Sequence, residues 1–166
     1  MRRGAVCLES QMMLEFGSSE TGTGMSELIA TAGLLGVPVE HLTQMSDLGC
    51  LRLIEQGLPV SALDRLAGLL SPDDAKFKFR IVPKATLARV VGRRLNANQS
   101  VRVARIAAVW AQALKIWKSD EAVRGFLFRP SPVLENKLPI DLVLENEIGA
   151  SLVRDVLGRI EAGTFA

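Results

Sequence analysis

Between about residues 98 and 118 the apolar side chains Val103, Ile106, Ala107, Trp110, Leu114 and Trp117 recur at three- and four-residue spacing. That spacing lines one face of an α-helix and cannot line one face of a strand. Val109, Ala113 and Ile116 widen the stripe, while Arg102, Arg105, Gln112 and Lys115 are expected to point to water. So broad an apolar face predicts a helix buried on more than one side, capped by Asn96 or Asn98. The rest of the chain agrees. Alternating runs of strong β-formers are few, Tyr is absent, and Ala, Leu, Arg, Glu and Gln dominate. The fold class is therefore read as all-α.

The other segments are punctuated by caps and breakers. Residues 1–24 end in GSSETGTG and are expected to form a flexible tail. Gly22 and Gly24 lack the third glycine and the lysine of a phosphate loop, so a linker is the reading there. Helices are expected from Ser26 to Gly36, from His41 to Leu48, and from Leu51 to Gln56, the last stopping at Gly57. Pro59 opens a helix whose Leu63, Leu66, Ala67 and Leu70 face the core. A further helix is expected to start at Ser71-Pro72-Asp73-Asp74, and another, PKATLARVVGRR, at Pro83. Ser119-Asp120 starts a helix through Phe126, and RPSPVLENKLP is read as a non-helical crossing. Pro139 begins a single turn. Asn146 or Glu147 begins the last helix, to Glu161, with Leu152, Val153, Val156, Leu157 and Ile160 inward and an Asp155–Arg159 pair outside.

Charge divides the chain. Residues 75–119 hold eleven Lys and Arg and no Asp or Glu, leaving nine basic and eighteen acidic side chains elsewhere. A basic middle between acidic flanks points to a polyanion or an acidic protein surface as partner. Three helices in close succession, the last of them basic, have the layout of a helix-turn-helix. On that third helix Lys84, Ala85, Thr86 and Arg89 lie near the end that touches base edges, and Arg93 and Arg94 follow for phosphates.

Catalytic and targeting signals are missing. His41 is the one histidine and has no metal-ligand neighbours, and no CxxC, HExxH or GxSxG occurs. The acid pairs Asp73-Asp74 and Glu145/Glu147 sit at expected helix starts, where the dipole accounts for them. A non-enzyme with no cofactor and no metal is expected. Cys7 and Cys50 are too few for a disulfide framework. No run approaches 18 uncharged apolar residues, and Glu9 and Glu15 interrupt any signal-like core, so a cytoplasmic protein with no membrane partner is expected.

Five segments carry a resemblance: QGLPVSALDRLAGLL, VPKATLARVVGRRLN, VRVARIAAVWAQALKIW, FLFRPSPVL and LPIDLVLENEIGASLVRDVLGRIEAGTFA. Together they resemble, over roughly residues 56–166, the Xre/MbcA/ParS-type antitoxins of type II toxin–antitoxin pairs whose toxin has a RES domain. The resemblance implies two modules. An Xre-like helix-turn-helix within residues 25–97 would bind operator DNA and repress its own operon, with Lys84, Thr86 and Arg89 on the recognition pattern. A helical domain over residues 98–166 would bind the RES toxin and occlude its NAD-consuming active site. The implied toxin-binding residues are Arg129, Pro130, Pro132 and Leu134 in the proline loop, and Arg159, Glu161, Thr164 and Phe165 in the tail. A homodimer within a toxin–antitoxin hetero-oligomer is expected, since helix-turn-helix operators are usually two-fold. The alternative is a stand-alone regulator whose C-terminal domain only dimerises.

Overall fold

The computed structural model describes residue 33 and residues 47–90 and 93–164. Its helices are α1 (Asp47–Glu55), α2 (Val60–Leu70), α3 (Lys78–Ile81), α4 (Lys84–Leu87), α5 (Ala97–Trp117), α6 (Asp120–Leu127), α7 (Pro139–Glu145) and α8 (Glu147–Glu161), with a 3₁₀ turn at Pro132–Leu134. No strand occurs among the described residues. Two isolated bridges, Pro59 to Arg94 and Ser131 to Lys137, close loops. Among the described residues no helix is long and apolar enough to cross a membrane. The tail and the helix expected from Ser26 lie outside the described residues, apart from helical Gly33. Of the helix expected from His41 to Leu48, residues 41–46 lie outside the described residues; the helix expected from Leu51 falls within α1, which begins at Asp47.

α5 is the axis of the molecule. Asn96 accepts from Gln99 N while the Gln99 side chain accepts from Asn96 N, a reciprocal capping box. Trp110, Val103, Ile106 and Ala107 are fully buried, and α1, α2, α6, α7 and α8 all pack on α5. One continuous core runs from Leu58 in the N-terminal part to Leu157 in the last helix.

The structure departs from the sequence reading at several points. Ser71 ends α2 rather than capping a new helix, its N–H donating to the Ala67 carbonyl. Asp74 Oδ1 then accepts from Lys76 N at 2.8 Å, an Asx turn that competes with helix formation. Phe77 drops into the core, and only one helical turn, α3, remains. The helix opened by Pro83 also stops after one turn. Arg89 and Val90 donate to carbonyls three residues back, and the following Val90-Val91-Gly92 is a poor helix-forming sequence. Gln112, expected in water, is buried between α5 and α8, with Nε2 donating to Arg154 O at 3.3 Å. Leu152, expected inside, is exposed. Glu161 pairs with Lys115 at 2.8 Å, whereas Asp155 and Arg159 form no such pair. Pro139 opens nearly two turns instead of one.

Candidate functional site

The basic block divides into cations held by the protein and cations presented to solvent. Lys78 pairs with Asp64 at 2.8 Å, Arg80 with Asp141 at 2.7 Å and Arg105 with Glu147 at 3.7 Å. Arg102 donates to the carbonyls of Ile81 (3.1 Å) and Leu144 (2.8 Å), and Arg105 reaches Leu144 O at 3.4 Å. Both arginines were expected in water and are instead half-buried. Burial pushes the Arg105 guanidinium pKa down. Glu147 opposes that shift and the neighbouring Arg102 charge adds to it. Periodicity cannot reveal these roles, because a long cationic side chain on a helix face reads as solvated wherever its head finally goes.

Lys84, Arg89, Arg93 and Arg94 enter none of these pairs among the described residues, and all four are exposed. Lys84, Ala85 and Thr86 stand on α4, which buries no residue, and Arg89 follows just past its end. Arg93 and Arg94 are not on a helix end as expected. Arg93 takes φ 58°, and Arg94 lies on the bridge to Pro59. Val60 N donates to Arg93 O at 2.9 Å and Leu95 N to Leu58 O at 2.8 Å. Gly57 makes this approach possible: at φ 96°, a Cβ there would run into the Leu95 carbonyl. Of these six residues Arg93 alone lines a cleft, with Leu87 and Val90 on one part of its wall and Ser61 and Asp64 of α2 on another.

The second candidate surface lies beyond the C-terminal end of α5. Ser119 caps α6, and Trp117 and Phe126 stack with ring centroids 5.1 Å apart and planes tilted by 35°. They line a cleft of about 680 Å³ with Glu121, Gly125, Arg129, Pro130 and Pro132. Arg129, Pro130 and Pro132 are exposed, whereas Leu134 points into the core and leaves Val133 as the exposed apolar residue of the loop. The loop is closed by Ser131 N to Lys137 O (3.1 Å) and Asn136 N to Ser131 O (2.8 Å). Arg159, Glu161 and Thr164 are exposed, and the Thr164 hydroxyl donates to Arg159 O at 3.2 Å. The Lys115–Glu161 pair brings this end of α8 alongside the end of α5, so the tail and the cleft share one pole. Phe165 lies outside the described residues.

Residues 51–108 match the family described as the antitoxin Xre-like helix-turn-helix domain. Residues 112–163 match the antitoxin Xre/MbcA/ParS C-terminal toxin-binding domain. The chain belongs to the Xre/MbcA/ParS antitoxin family. No curated protein matches it. The antitoxin therefore carries Lys84, Arg89, Arg93 and Arg94 in the helix-turn-helix segment and its aromatic cleft and proline loop in the toxin-binding segment. The two matches meet inside α5, with no linker between them.

Side-chain contacts cross that seam. Arg80 reaches Asp141, Arg102 and Arg105 both reach Leu144 O, Arg105 also pairs with Glu147, and Arg124 Nη1 donates to Leu69 O at 3.0 Å. Phe77 stands edge-on to Phe128 at 5.7 Å.

Proposed function

We propose that this antitoxin binds a RES-domain toxin and occludes its NAD-consuming active site, and that it represses its own operon by binding DNA. The toxin-binding reading is carried by the exposed pole that joins the Trp117–Phe126 cleft, the proline loop and the end of α8, all within the segment matched to a toxin-binding domain. Arg129, Pro130, Pro132, Arg159, Glu161 and Thr164 would supply contacts there, together with Phe165. Leu134 would act from inside, holding the loop on the core. The DNA reading rests on Lys84, Ala85, Thr86 and Arg89 for base edges and on Arg93 and Arg94 for phosphates. The proposed division is a tail over residues 1–24, a reading module to residue 97 and a toxin-binding module beyond. The assembly would be a cytoplasmic hetero-oligomer built on an antitoxin homodimer.

Co-expression with the neighbouring gene tests the first half. The full chain should rescue growth and restore cellular NAD, and Arg129→Ala combined with Phe126→Ala should weaken the rescue. A neighbour without a RES domain, or no rescue by the full chain, would discard the RES reading and favour the stand-alone regulator. Point variants are required, because removing residues 120–166 would strip α6, α7 and α8 from the faces of α5.

A further inference from the structure

Arg102 pins two helix ends that belong to different modules. Its Nη1 meets the carbonyl of Ile81, the last residue of α3, and its Nη2 meets Leu144, in the last turn of α7. Carbonyls in a last turn lack partners within their own helix and carry the negative end of its dipole, so a guanidinium suits both. One planar fork can span two acceptors in fixed geometry, which the point charge of a lysine does not reproduce. Next to it, Arg80 of α3 holds Asp141 of α7.

The segment beyond this clasp has little else to hold it. Ile81 and Val82 are buried, Pro83 through Thr86 are exposed, and α4 has neither a buried residue nor a side-chain cap. Its inward anchors are the half-buried Leu87 and, just past its end, Val90. The N-terminal end of the Lys84–Arg89 segment is thus set by where Ile81 and Val82 are held.

We infer that Arg102 is a positioning residue for DNA reading: the toxin-binding module, through Arg102 and the Arg80–Asp141 pair, fixes how the Lys84–Arg89 segment is presented to the duplex. Operator discrimination then depends on side chains that never touch DNA. The inference rests on the DNA-binding reading above. It differs from a phosphate contact by Arg102 itself, which would show as a shallower salt slope; Arg102 is half-buried and each terminal nitrogen already donates to a carbonyl.

The test uses full-length Arg102→Lys and Arg102→Met, with two probes: a duplex spanning the promoter of the protein's own operon and a random-sequence duplex of equal length. Both variants should lose about tenfold in preference for the promoter, with random-duplex affinity and its salt slope unchanged within about twofold. Hydrogen exchange without DNA should speed up at the Leu87 and Ala88 amides, which donate to Pro83 and Lys84. Lysine behaving as wild type, or methionine weakening both duplexes alike with a shallower salt slope, overturns the inference in favour of simple charge. Should Arg102→Met fail to fold, Asp141→Asn decides. Losing a carboxylate raises general DNA affinity if charge alone matters, whereas positioning predicts a lower promoter preference. A wild-type protein with no promoter preference overturns the DNA reading and the inference with it. Preference intact in wild type and in every variant overturns the inference alone.

Discussion

The N-terminal and C-terminal halves end their helices by different means. In the toxin-binding half, Ser119 caps α6 and Asn146 caps α8 with Oδ1 accepting from Gly149 N at 2.8 Å, while α7, opened by Pro139, has no side-chain cap. In the helix-turn-helix half, α2, α3 and α4 have no side-chain cap, and α3 and α4 are single turns. Local order in the C-terminal half follows from its own sequence. In the helix-turn-helix half it is borrowed, through buried Phe77, Ile81 and Val82 and through arginines anchored across the seam. A surface meant to present cations cannot also bury them, so the elements that carry them are the least self-sufficient.

The two halves are joined most directly at the shared core. Trp110→Ala should cost about 3–5 kcal/mol. Hydrogen exchange in α2 and in α8 should then rise together in one cooperative transition, and two separate transitions would contradict a common core. Glycine substitutions separate the halves. A Cβ at Gly149 would meet the Leu142 carbonyl, and one at Gly57 that of Leu95. Each Gly→Ala change should cost about 1–3 kcal/mol in urea unfolding. Among variants still folded, Gly149→Ala should impair toxin binding more and Gly57→Ala DNA binding more.

Within the helix-turn-helix half, Lys84→Ala and Arg89→Ala should each lower discrimination between promoter and random DNA by about 1–3 kcal/mol. Arg93→Ala should weaken both duplexes alike, and equal behaviour of all three in anisotropy titrations would refute this placement of the contacts. Asn96→Ala and Asn146→Ala should each cost about 1 kcal/mol of thermal stability. Asn96 is expected to cost more, because its capping box satisfies two backbone donors. The smallest change is Asp64→Asn, which breaks the exposed pair with Lys78. It should cost no more than about 0.5 kcal/mol and nothing measurable at high salt.

Elements with local signals were legible in the sequence. Asn96, Ser119, Pro139 and Asn146 mark helix starts where the structure has them, and the stripe from Val103 to Trp110 is the core. What failed depended on distant partners. Ser71-Pro72-Asp73-Asp74 has the grammar of a helix start, yet Asp74 spends its carboxylate on an Asx turn while Phe77 is drawn inward. Gln112 reads as a wet residue until α8 supplies a carbonyl for it. The basic block was legible as charge. Which of its cations the protein itself holds was not, because Asp64, Asp141 and Leu144 engage Lys78, Arg80 and Arg102 from far along the chain.

α5 begins among the residues that would read DNA and ends among those that would meet the toxin, unbroken for 21 residues. Hybrid antitoxins joined at a boundary between the modules would sever Trp110 from half its neighbours. Grafts that carry α5 whole, with Arg102 and the carbonyls it grips taken from one parent, should give chimeras that fold.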